Sequence, residues 1–528
     1  MINLSRRSIL LLSLVALCLA CRGPARPAGT AEAPGVSASP ETSAARHLVV
    51  LHTNDIHGQV LPRNATWLDA EEPPLVGGLE RLAARIAAES AAARSSGADV
   101  LVVDAGDWFQ GTPEGMLADG RSFLGALSRV GHAAMCVGNH EFDHGVETLK
   151  AHLKAVKLPT VLANLRDRES GERPRWVKPW RIFKRAGLKI AVVGLLTPAT
   201  PEITDDSVRA FEFVEPSVAL AEVRAELGDS VDLVLPLTHL GVGADRDLAR
   251  AHPDLPLIVG GHSHTYLAEG AREGEVLIVQ AGSKASALGR VDLWLDPRNG
   301  KCLRSEARLI DLMEEAAADD LPRGLARACE RLVAKSAAHM DAAVGELGAA
   351  LLRSRHPLET APAGNLITDV MRARTGADVA LQNRGGIRCD LAAGTVTRRD
   401  LFEILPFGNH LVTVTLTGAE LLATLRRAVE GQAHSGMEFS GLVLEVREGA
   451  AGHRVLGARV GGEPLAPERE YRVTMNSFLA GGGDAYLELG SERRRVDERT
   501  ALRDVMAEAF AEHGTITPPT ENRYLRRR

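Results

Sequence analysis

Five apolar runs in this chain each stop at a cluster of imidazole, carboxylate or carboxamide groups, and this repetition limits the possible folds more than any other feature. The run at 48–51 leads into Asp55 and His57 within HTNDIHG, and the run at 100–103 leads into Asp104 and Asp107 within DAGDWFQGT. The run at 133–137 leads into GNHEFDHG, which carries Asn139, His140, Glu141, Asp143 and His144. The run at 231–237 leads into His239, and the run at 257–259 into GGHSHT with His262 and His264. Near-continuous Val, Ile and Leu is the mark of a strand buried on both faces. Stretches of helical spacing separate the runs, as at 78–94, where Leu79, Leu82 and Ile86 recur. The alternation predicts a layered α/β domain, in which ligands gather beyond the carboxyl ends of the strands. Any one cluster taken alone reads as a polar turn. Five in the same position are expected to converge on one rim.

The donor types narrow the chemistry. Mixed carboxylate, imidazole and carboxamide groups without thiolate suit Zn, Mn, Co or Fe, and not a zinc finger. This many ligands can serve two divalent ions if one carboxylate bridges them. Two ions about 3.5–4 Å apart activate water and clamp the oxygens of an in-line phosphoryl displacement. Hydrolysis of a phosphate ester is the expected reaction.

NDIHG, GDWFQGT, GNHEFDHG, THLG and GGHSHT, in this order, resemble the calcineurin-like metallophosphatase domain of the 5'-nucleotidase and UDP-sugar hydrolase family. The resemblance implies an N-terminal four-layer α/β/β/α domain, a helical linker and a C-terminal α+β domain. It implies one metal on Asp55, His57, Asp107 and His264 and a second on Asp107, Asn139, His239 and His262, with Asp107 bridging. In part of the family a glutamine stands where His264 stands here, which bears on metal preference. His140 would face the phosphoryl oxygens, oriented and charged by Asp143. Asp104 has no ligand role in the resemblance, and Glu141 and His144 read as residues of a packed or solvated turn.

The second half carries three short segments that match the family's C-terminal domain. QNRGGIRCDL places Asn383 and Arg388 around paired glycines, LPFGN places Phe407 on a turn, and NSFLAGGGDAY places Phe478 and Asp484 on another. Aromatic residues are only 4% of the chain, so two Phe on glycine-rich loops stand out. The resemblance implies that Phe407 and Phe478 sandwich a base, Asp484 binds ribose hydroxyls, Arg388 contacts phosphate and Asn383 the base. A further family arginine has no clear match ahead of Gly364-Asn365-Leu366, and Arg353 or Arg355 is expected in its place.

At 528 residues the chain exceeds what one core usually supports, so at least two domains are expected. The boundaries read as 46–312 for the metallophosphatase domain, 313–343 for a helical linker, with Ala, Glu and Arg dominating from 312 to 338, and 344–528 for the substrate domain. Arg6, Arg7 and the apolar run at 9–20 form a secretory leader over 1–21 with a twin-arginine-like start. LCLAC resembles a lipobox with Cys21 as the acylated residue and Cys18 at an unusual position. Pro, Ala, Gly and Ser dominate 22–45, which suits a tether. The expected protein is exported and touches a membrane only through lipid on Cys21. A net charge of -6 gives no reason to expect nucleic acid as a partner. The cysteines form no metal or disulfide pattern, and oligomeric state is not legible.

The expected activity is release of phosphate from nucleoside 5'-monophosphates. UDP-sugars, 2',3'-cyclic nucleotides or NAD are the nearest alternative substrates. A sulfur-ester hydrolase would have no use for a base sandwich, and a catalytically dead nucleotide-binding surface lipoprotein conflicts with the intact set from Asp55 to His264.

Overall fold

Alternation along strand Arg46–Thr53 decides the layering of the first half. Val49 and Leu51 pack outward with residues of helices Leu79–Ser95, Arg121–Leu127 and Val146–Val156, whereas Leu48 and Val50 face a second sheet. The computed structural model in which this is seen describes residues 45–527, apart from 66–67, 69–71, 318–319, 432–435, 450–451 and 488–494. The leader, Cys21 and the tether up to residue 44 lie outside the described residues.

The first sheet runs in the order Cys302–Asp311, Ala287–Leu295, Arg46–Thr53, Asp99–Asp104, Ala134–Cys136, Thr160–Val161. The second runs Ala271–Glu273, Val276–Val279, Leu257–Val259, Leu233–His239, Leu188–Leu196, Trp180–Arg185. Neighbours at the centre of each sheet are parallel, so their carboxyl ends share an edge. Ile190, Val192, Leu235 and Leu237 of the second sheet meet Leu48, Val50, Leu101 and Val103 of the first between the sheets. Ala191, Val193 and Leu195 face the other way, onto helices Pro216–Leu227 and Val242–Ala251. The result is the four-layer α/β/β/α arrangement.

The connector differs from its expected form. Its helix spans Leu325–Met340, not the whole of 313–343, because Pro322 and Gly324 (φ 78°) interrupt the chain just before it. Leu325, Ala328, Cys329 and Leu332 recur at helical spacing and are buried in the same core as Leu79, Leu82 and Phe123. A buried leucine contributes about 1.5–3 kcal/mol, so this helix is fixed to the first half. Glu114, on the loop after Asp107, accepts hydrogen bonds from Ser336 of the helix and from Arg399 of the second half; Arg399 Nε also donates to Asp341 at 2.8 Å.

The second half is α+β. Its main sheet runs Met437–Ser440, Val379–Asn383, Glu470–Asn476, His410–Thr417, Arg495–Ala501, with helices Pro362–Thr375 and Gly418–Glu430 contributing to separate apolar clusters. Val379–Asn383 and Glu470–Asn476 are parallel, and His410–Thr417 runs against them with Leu411 opposite Asn476. Asn383, Phe407 and Phe478 therefore emerge at one edge of this sheet.

Candidate active site

The five strand ends do converge. Ligand-type atoms of Asp55, His57, Asp107 and His264 lie within 4.8 Å of one another, and so do those of Asp107, His239 and His262. Asp107 belongs to both groups. Its Oδ2 stands 3.1 Å from His239 Nε2 and 3.9 Å from His57 Nε2. Asp55 Oδ1 stands 3.1 Å from His264 Nε2. Asn139 Oδ1 lies 3.0 Å from His262 Nδ1, which brings the amide to the second group.

Backbone carbonyls choose the imidazole tautomers. His57 Nδ1 donates to Gln110 O and His239 Nδ1 to Ala105 O, each at 2.7 Å, so both Nε2 atoms point inward. His57 Nε2 and His264 Nε2 face each other at 3.0 Å. Two inward nitrogen lone pairs in a buried carboxylate cluster fit cations as their shared partner. Burial, with Arg388 and His264 adding to it, holds His57 well below the usual imidazole range. Burial and His239 push His262 down to about 3. Both are thus kept in the neutral form a metal requires. At His239 burial acts in the same sense, but Asp107 outweighs it and lifts the imidazole to about 10. A cation bound beside Asp107 would compete with that proton.

Close approach of these loops needs special backbone. A Cβ on Gly138 would come within 2.2 Å of Asp107 Oδ1, so only glycine fits there. Asp55, His57, Asp107, His262 and His264 all have positive φ, between 51° and 79°. Short polar residues tolerate that left-handed region best among non-glycines.

His140 stands beside the cluster, its Nε2 3.9 Å from Asp107 Oδ2. Its Nδ1 donates to Asp143 Oδ2 at 2.8 Å. Burial opposes charging of this ring, yet Asp143 and Asp107 together raise its pKa. Glu141, taken from sequence as a turn residue, is 1% exposed and accepts from the backbone N–H groups of Asp107 (2.9 Å), Trp108 (2.7 Å) and Gly138 (2.7 Å). It binds two ligand loops together, two of its three partners lying 33 and 34 residues away. Asp104 likewise supports the loop, accepting from Thr53 Oγ1 at 2.5 Å and Gly106 N at 2.9 Å.

A cavity of about 350 Å³ opens directly onto this cluster. Asn139, His140, Asp143 and His262 line it together with Thr204, and from the second half with Asn383, Arg388, Phe407, Phe478 and Asp484. The Phe407 ring centre is 5.6 Å from that of His140, and the Arg388 guanidinium is 5.7 Å from Phe407 and 3.1 Å from His57 Nε2. Phe478 lies against Gly483, where a Cβ would come within 2.5 Å of the ring. Asn383 Nδ2 donates to Asp484 Oδ2 at 2.9 Å, and Asn476 donates to Asn383 Oδ1 at 2.8 Å. Arg353 and Arg355 are outside this cavity. Both pair with Asp390, at 3.2 and 3.0 Å, and line a second recess of about 250 Å³ that also touches His264 and Arg388.

Residues 48–266 match the calcineurin-like phosphoesterase family and residues 337–489 the 5'-nucleotidase C-terminal domain. The crystal structure of a 5'-nucleotidase precursor from Thermus thermophilus is 30% identical, with a TM-score of 0.79, covering 91% of this chain and 99% of that one. This chain belongs to the 5'-nucleotidase family. Protein UshA of Escherichia coli (strain K12) is 29% identical over 497 residues, 84% of this chain and 87% of that protein. The sulfate thiohydrolase SoxB of Thermus thermophilus shares the fold, with a TM-score of 0.78 at 21% identity, covering 91% of this chain and 96% of that one. As a family member with the phosphoesterase domain and its Asp/His cluster, the protein is a metal-dependent phosphoester hydrolase.

Proposed function

We propose that this protein releases phosphate from nucleoside 5'-monophosphates outside the cytoplasm. One observation carries the reading: a single cavity joins two half-buried Phe side chains and Asp484 to His140 and the Asp/His cluster. A nucleoside and its phosphate can therefore be held in one cavity at once. Asp55, His57, Asp107 and His264 would hold one divalent ion, and Asp107, Asn139, His239 and His262 the other. Bound there, the ions supply an activated water and stabilise negative charge on the phosphoryl oxygens.

The chain's own groups do the rest. His140, kept protonated by Asp143, presents Nε2–H to a phosphoryl oxygen as charge builds there. Arg388, next to both His57 and Phe407, neutralises the phosphate. Phe407 and Phe478 bracket the base, and Asp484 accepts from ribose hydroxyls in an orientation held by Asn383. The leader pattern around Arg6 and Arg7 supports export, and LCLAC supports a lipid on Cys21; among the described residues no helix is long and apolar enough to cross a membrane. The proposed domains are 46–312 and 344–528, joined by 313–343.

Phosphate release from AMP, UDP-glucose, cyclic AMP isomers and NAD, with and without chelator, separates this reading from diphosphate, cyclic and dinucleotide substrates. Phe478→Ala is expected to raise KM for nucleoside monophosphates about tenfold, since stacking on a base is worth roughly 1–3 kcal/mol. For glycerol phosphate, which has no ring to stack, kcat/KM should barely change. Equal losses on both substrates would send the reading back to a general phosphatase.

A further inference from the structure

The carboxylate that orients His140 has a second oxygen, and a residue outside every motif holds it. Thr204 Oγ1 donates to Asp143 Oδ1 at 3.0 Å, while Asp143 Oδ2 accepts from His140 Nδ1 at 2.8 Å. Thr204 ends the short helix Thr200–Ile203 in an extended conformation, φ -143° and ψ -163°. Inside that helix Thr200 Oγ1 donates to Thr197 O at 2.7 Å. Just beyond it, Asp205 accepts from Ser207 N at 2.9 Å, and Ser207 Oγ accepts from Val146 N at 3.0 Å. The Thr204 segment is thus joined to the Asp143 segment at two points, and the hydroxyl reaches the carboxylate on a fixed frame. The same helix packs against the turn Gly483–Ala485 that bears Asp484.

We infer that Thr204 is a positioning residue for phosphoryl transfer. By occupying Asp143 Oδ1 it fixes the rotation of the carboxylate, so that Oδ2 stays on His140 Nδ1 and the ring keeps its Nε2 toward the reacting group. Without the hydroxyl the carboxylate can turn toward water, and His140 loses its orientation, while Asn383 still holds Asp484. The inference rests on the reading of His140 as the group that faces the phosphoryl oxygens.

Thr204→Val removes the hydroxyl and keeps the β-branched shape; Thr204→Ser keeps the hydroxyl and removes the methyl. Both are assayed with AMP and with p-nitrophenyl phosphate, next to thermal unfolding and metal content. The valine variant is expected to lose kcat by roughly ten- to hundredfold on both substrates, the usual worth of a hydrogen bond to a charged group. KM for AMP should stay as it was, and the serine variant should retain most of the wild-type kcat. A serine variant as impaired as the valine one, a valine variant with normal kcat, or a valine variant altered only in KM would each overturn the assignment. The nucleoside reading fails separately: a wild-type protein that hydrolyses p-nitrophenyl phosphate but not AMP would refute it, and the Thr204 comparison would still be readable.

Discussion

Asp107→Ala is expected to abolish phosphate release. Asp107 is the one carboxylate common to both ligand clusters, so its loss weakens two cation sites at once. The ions stabilise several kcal/mol of developing charge, and each 1.36 kcal/mol is tenfold in rate, so kcat should fall by roughly 10⁴-fold or more. Metal content of the purified variant should fall with it. His57→Ala, which touches one cluster, is expected to do less damage. Chelation of the wild-type protein should copy the Asp107 phenotype, and added Mn, Co or Zn should reverse it. Full turnover in metal-stripped protein would end the two-ion reading; a His57 variant consistently worse than the Asp107 one would remove Asp107 from the bridging position.

His140→Ala should show the opposite pairing of results. Among the described residues neither ligand cluster includes His140, so both ions are expected to remain bound. The variant should still lose about 10²- to 10⁴-fold in kcat, the range for a positioned acid, base or charge stabiliser. KM for AMP should change little, because the base and ribose contacts are assigned to Phe478, Asp484 and Asn383 and not to His140. Metal analysis decides between two meanings of a low rate: an intact complement supports the phosphoryl-facing role, whereas loss of an ion recasts His140 as a ligand.

Much of this site was legible because its residues sit directly after strands. Strand identity follows from apolar runs, and in parallel sheets strand ends share an edge, so Asp55, Asp107, Asn139, His239 and His262 could be placed together from the linear order alone. Glu141 and Thr204 were not legible. Glu141 acts on backbone N–H groups of a loop that no side-chain pattern marks, and Thr204 meets Asp143 from 61 residues away on a segment with no motif. The start of the connecting helix was missed for a local reason, the Pro322 and Gly324 pair ahead of Leu325. For Arg353 or Arg355, expected in place of the unmatched family arginine, the sequence did not show the pairing that each makes with Asp390. That pairing depends on a partner more than thirty residues downstream, which composition cannot reveal.

The left-handed backbone at Asp55, His57, Asp107, His262 and His264 makes an alanine scan of this centre a mixed measurement. Alanine deletes the ligand and also leaves a Cβ in a conformation that costs roughly 1 kcal/mol or more relative to glycine. Glycine deletes the ligand and relaxes the chain. At each of these five positions the glycine variant should therefore melt higher than its alanine counterpart, with equal loss of metal. The difference between the two is the tension that the rim keeps in its own backbone. It also sets a limit on improvement: substitutions that relax these turns gain stability only by giving up the side chains that the chemistry uses.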